Sequence, residues 1–68
     1  MNFAEKMEIE ASLLSNLASW MGARGEVIFD KSQSNAYTGV RVREIKWKGS
    51  LYRIVDVDGM TCEIKKID

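Results

Sequence analysis

Apolar residues Phe3, Met7, Leu14, Leu17 and Met21 recur at three-, four- and seven-residue steps with Ala11 and Ala18 between them, the spacing of one face of an α-helix. Asn2 with Glu5 three residues on has the form of a capping box, with Asn in the Ser/Thr position, and Gly22 is placed to end the segment. A helix over residues 3–21 follows. A second set, Ile9, Leu13 and Trp20, projects roughly 100 degrees or more away from the first at the helical pitch. One flat sheet face does not cover both stripes. Either a sheet curls around the helix or the second stripe meets something else.

Beyond Gly22-Ala-Arg-Gly25 the period changes. "EVIFD" reads as a strand over 26–30 and "KSQSNAYTG" as a polar loop. Three further strands, 40–47, 51–57 and 60–67, follow as a meander. Their turns fall at Lys48-Gly49 and Asp58-Gly59, because a two-residue hairpin turn needs the positive φ that glycine accepts. Closing at Asp58-Gly59 pairs Val57 with Met60 and Val55 with Cys62 and sets Leu51 and Ile64 on the same face, and a two-residue turn at Lys48-Gly49, or one shifted to Gly49-Ser50, adds Val40 and Val42 to it. That face is expected to be the core. The other collects Arg43, Ile45, Trp47, Tyr52, Ile54, Asp56, Thr61, Glu63 and Lys65. Apolar groups on both faces of a short meander imply bending or a second covered surface. The expected fold is α+β, a single domain with the N-terminal helix packed on a curled four-stranded antiparallel sheet. An SH3-like small barrel is its closed form.

At 68 residues the chain is near the size at which one core barely offsets the entropy of ordering it. Cys62 is the only cysteine and there is no histidine, which removes disulfides and Cys/His zinc sites as sources of extra stability. Self-association or docking on a protein partner is therefore expected. With 46% hydrophobic and 29% charged residues and no proline, the composition is that of a soluble globular chain, and its apolar runs are too short to span a membrane. A cytoplasmic, reduced protein is the expectation.

Net charge is zero, but its distribution is uneven. Glu5, Glu8 and Glu10 face only Lys6 in the first twenty residues, whereas Arg41, Arg43, Lys46, Lys48 and Arg53 cluster with Glu44 between 41 and 53.

Catalysis finds little support. No histidine means no Ser-His-Asp or Cys-His arrangement, and Cys62 reads as a small buried hydrophobe. Asp56 and Asp58 in "DVDG" fail as a calcium loop, since the first ligand position would fall on Ile54 and the closing acid on Lys65. The glycines match no phosphate-binding signature, so no enzyme, cofactor, metal or small-molecule substrate is expected.

Two binding classes remain. Protein contact through Ile9, Leu13, Trp20, Trp47 and Tyr52, with Arg43 as a polar anchor, rests on the surplus of apolar groups and on Trp, Tyr and Arg dominating interface energetics. Burial of Trp20 against Trp47 inside one domain competes with it. Nucleic-acid binding through Arg41, Arg43, Lys46, Lys48 and Arg53, beside stacking aromatics, is the alternative.

The segments "WMGARGEVIF" and "WKGSLYRIVDVDGMTCEI" resemble small phage head-tail joining and attachment proteins. In that family an SH3-like barrel carries a Gly-x-x-Tyr-x-Ile/Val-x-x-Val hairpin, matched here by Gly49, Tyr52, Ile54 (offset by one) and Val57. The likeness covers mainly residues 17–29 and 47–64, and the middle loop is shorter than in the family. It implies assembly through protein contacts and oligomerisation, without catalysis, in a host cytoplasm or a virion.

Overall fold

The computed structural model describes the backbone of residues 3–68 and the side chains of residues 13–68. The capping box at Asn2 and Glu5, and the side chains of Phe3, Met7, Ile9 and Ala11, therefore lie outside the described residues.

Helix α1 runs Phe3–Arg24, one turn past the expected end. Gly22 does not stop it, because it lies against the sheet: a Cβ there would meet Arg43 Nη1 at 3.8 Å and Ile45 Cδ1 at 4.0 Å, ordinary contact distances. Gly25 does stop it. Its N–H donates to Met21 O at 2.7 Å, and a Cβ at this position would fall 2.6 Å from Ile45 Cγ2 and 2.9 Å from both Lys46 O and Met21 O. Two of those three neighbours are backbone, so the helix end and strand β2 approach as closely as they do only because no side chain intervenes. Gly25→Ala should accordingly cost about 1–3 kcal/mol through forced displacement. Urea denaturation checks this, and an unchanged midpoint would show that the helix end shifts freely.

Strands β1 (Glu26–Ser34), β2 (Gly39–Trp47), β3 (Ser50–Val57) and β4 (Met60–Lys66) form one antiparallel sheet in sequence order. β1 extends four residues beyond the expected strand, so Lys31-Ser-Gln-Ser34 is ladder rather than loop. Only residues 35–38 turn. There Asn35 Oδ1 accepts the N–H groups of Tyr37 and Thr38, an Asx-type turn. The Asp58 carboxylate accepts the Gly39 N–H at 2.8 Å and so ties this connection to the β3–β4 hairpin. Both hairpins turn where expected: Lys48 and Gly49, like Asp58 and Gly59, all have positive φ. β1 and β4 are free edges, so the sheet stays open and no barrel closes.

The core lies on the face opposite to the expected one. α1 crosses the sheet over β4 and β2, and Ala18, Met21, Ile45 and Ile54 are the buried hydrophobics, with Trp47 and Ile64 packed against the Ala18, Ile45 and Ile54 cluster. Val40, Val42, Val55 and Leu51 face away from the helix and are only half-buried. Two causes account for the reversal. Isoleucines and aromatics bring more apolar volume to one face than valines bring to the other, and burial scales with area. In addition a bulge at Cys62 shifts β4: Asp56 still pairs with Thr61, but Val55 pairs with Glu63 and Ile54 with Ile64. Ile64 thereby joins the helix face, while Glu63 and Lys65 leave it. Cys62 is exposed, its thiol donating to Val55 O at 3.4 Å, rather than filling a core slot. Leu17, placed on the core stripe by spacing, is exposed as well.

Candidate functional site

On the helix side, β2 and β3 lay out charge in a ladder. Arg41 holds Asp30 through two parallel hydrogen bonds, Nε to Oδ1 at 2.8 Å and Nη2 to Oδ2 at 2.6 Å. Those donated bonds keep the Asp30 carboxyl below its ordinary pKa against some desolvation, and the same contact raises that of Arg41. The pair is solvated and stabilises little.

One step along, Arg43 and Asp56 are different. Arg43 Nη2 donates to Asp56 Oδ2 at 2.8 Å, and each side chain is 13% exposed. Thr61, itself buried, donates its hydroxyl to Asp56 Oδ1 at 2.6 Å, while its backbone N–H donates to Ser15 Oγ of the helix at 3.1 Å. The network binds α1, β2, β3 and β4 together. Arg43 is therefore part of the interior and not the surface anchor expected for a partner.

The aromatic residues meet at the other end of the helix. Trp20 stands edge-on to Trp47, centroids 5.1 Å apart, and Trp47 to Tyr52 at 6.0 Å. Arg24 lies 4.6 Å from the Trp20 ring and Lys48 4.8 Å from that of Trp47. Trp20 and Trp47 thus do pack on one another, yet Trp20 stays 40% exposed and shares an outer helix line with Leu13 and Leu17, which are 63% and 42% exposed. Of the protein-contact residues taken from the sequence, Leu13, Trp20, Trp47 and Tyr52 fall at or beside this corner. Ile9 is outside the described side chains.

The five hairpin cations do not form one surface. Arg41 and Arg43 point to the helix side and are paired with Asp30 and Asp56, Lys48 caps Trp47 in the turn, and Lys46 and Arg53 are exposed on the other face. A phosphate-tracking strip would need them contiguous.

The face away from the helix was not singled out by the sequence, having been assigned to the core. Its ladder rows read Val40–Val57–Met60, Val42–Val55–Glu63 and Glu44–Arg53–Lys65, flanked on β1 by Gln33, Lys31 and Phe29. Val40, Val42, Val55, Val57 and Met60 make a contiguous apolar block two to three strands wide, and no element of the chain lies over it among the described residues. The signal that could have found it is the pair of lone Val-x-Val steps, Val40/Val42 and Val55/Val57, set in register by the Lys48-Gly49 turn. Among the described residues no cluster of acidic and cysteine side chains could hold a metal, and no helix is long and apolar enough to cross a membrane. No family model matches the chain, and no curated protein or solved structure matches it either.

Proposed function

We propose that this protein is a small non-enzymatic binding module that acts through protein-protein contacts, with the uncovered sheet face as its principal contact surface. One observation carries the reading: a four-stranded sheet has its helix on one side only, and its other side bears Val40, Val42, Val55, Val57 and Met60 with Phe29 at the rim. Sheets that leave a face in water alternate apolar-in with polar-out, and this block breaks that rule. Val57 and Met60, 36% and 48% exposed, lose solvent on any docking that covers the block. An assembly role such as the phage head-tail joining resemblance implies belongs to the same class. The division of the hairpin cations between two faces weighs against a nucleic-acid reading.

The test is photo-cross-linking in the expressing cell with a benzophenone side chain at Val57, and at exposed Ala23 on the helix as control. Discrete protease-sensitive adducts from Val57 and none from Ala23 are expected. Absence of adducts at Val57 sinks the reading, and adducts removed by nuclease replace it with the nucleic-acid one.

A further inference from the structure

The corner where the end of α1 meets β2 gathers positive charge as well as aromatic rings. Close approach at Gly25 brings the last helical turn onto β2, and Arg24 of that turn lies 4.6 Å from the Trp20 ring. Lys48, in the turn just beyond Trp47, lies 4.8 Å from the Trp47 ring. Lys66 pairs with Tyr52, and residues directly opposite across two strands share a face, so a third cation stands beside the same cluster. All three cations are exposed. A ring holds a cation in place without cancelling its charge. We infer that this corner is a second contact surface, one that takes a run of Asp and Glu carboxylates on a partner protein.

No carboxylate among the described residues balances the corner. The ion pairs there join Arg41 to Asp30 and Arg43 to Asp56. Asp56 stands four residues along β3 from Tyr52, and Asp30 lies opposite Arg43, four residues along β2 from Trp47; each gap is about 13 Å at the rise of a strand. That exceeds the ~8 Å over which charge is screened at physiological salt. Glu26 and Glu44 lie on the other face, opposite Lys46 and Arg53. Glu5, Glu8 and Glu10 precede Trp20 by ten or more helix positions, about 15 Å or further along the axis. Asp68, at the end of the chain, is exposed and pairs with no cation among the described residues.

An acidic partner therefore meets cations that are uncompensated and already positioned, since Arg24 and Lys48 have surrendered rotamer freedom to the rings beneath them. Nucleic acid is the other polyanion to weigh. A base needs a bare ring face, and here Arg24 and Lys48 sit over both tryptophans while the rings meet one another edge-on. Carboxylates need only the cations. The inference shares with the reading above that the partner is a protein, but it uses the helix side of the sheet and not the open face.

Both tryptophans of the chain lie in the corner, so their intrinsic fluorescence reads it without a label. The probe is a short peptide of alternating Asp and Glu, titrated at low and at physiological salt. A saturable change in emission is expected, weakening as salt rises. Arg24→Gln with Lys48→Gln removes two surface ion pairs and should weaken the peptide about three- to thirtyfold. Lys31→Gln with Arg53→Gln, an equal loss of charge from exposed side chains on the open face, should leave binding unchanged. No saturable change at low salt overturns the inference, as does an equal loss in the two variants, which would make the attraction one of overall charge. Tighter binding of an oligothymidylate of the same length overturns it in favour of nucleic acid, and binding to vesicles of anionic lipid but not to the peptide overturns it in favour of a membrane surface. Cross-linking at Val57 reads the open face separately, so that reading stands if the peptide fails, and the corner stands if the peptide binds as expected while Val57 yields no adduct.

Discussion

Replacing Asp56 with alanine should destabilise the domain by about 3–5 kcal/mol, the usual result of stripping one partner from a buried charge pair. Asp56 accepts from both Arg43 and Thr61, so its loss leaves a guanidinium at 13% exposure without its hydrogen-bonded ion-pair partner and a buried hydroxyl without its acceptor. Arg43 has no slack to re-form contacts, because its Nε is already buried with no partner among the described residues. At roughly 0.05–0.15 kcal/mol per residue, a domain of this length holds about 3–10 kcal/mol in all. A large share of the population should then be unfolded at room temperature, read as a lowered urea midpoint. Arg43→Met added to Asp56→Ala removes the stranded charge and should recover about half the loss or more. If the double variant is no better than the single one, the penalty comes from the Thr61 and Ser15 links and not from the charge.

Ile54→Ala is the second large effect, about 2–5 kcal/mol, because the side chain is 0% exposed on a central strand between Ile45, Ala18 and Ile64. Collapse cannot refill the gap, since the β-ladder fixes Ile54 from both sides and the helix is pinned at Gly25. Its neighbour Val55 points to the open face and is the control. Val55→Thr keeps the branched shape and strand propensity, leaves its hydroxyl to solvent on the uncovered face, and should change stability by under about 1 kcal/mol. Equal losses at the two positions would mean that both faces of β3 are buried in the folded protein as studied.

Much of the architecture is written in local patterns. Helix spacing, three strands and two glycine turns are each short-range signals; the turns and those strands fall within a residue of where the spacing puts them, and the helix runs three residues further. β1 beyond Asp30 is the exception. Lys31, Ser32, Gln33 and Ser34 pair fully with β2, but an edge strand with every residue exposed has no reason to alternate, so period-based reading has nothing to detect.

The choice of core face depended on longer-range facts. Counting valines favoured one side, because Arg43, Asp56 and Thr61 looked like solvent-facing residues on the other. They cancel one another instead, which lets a helix cover them. The bulge at Cys62 then reassigned three residues of β4 at once, since a one-residue slip exchanges the faces of everything beyond it. For the candidate site the consequence was an inversion. Val40, Val42, Val55, Val57 and Met60 were legible as an apolar set from the outset, but as interior.

The bond from Thr61 N–H to Ser15 Oγ joins residues 46 apart, whereas every strand pairing in the sheet is between sequence neighbours. The meander can zip from either hairpin over short loops, quickly and in any order. The helix lacks its full hydrophobic floor until β2, β3 and β4 are all in place, because Ile45, Ile54 and Ile64 come one from each. Docking of α1 closes a loop of 46 residues and is therefore expected to follow the hairpins. In the chain α1 precedes every strand it packs on, so this order of folding would run against the order of the sequence.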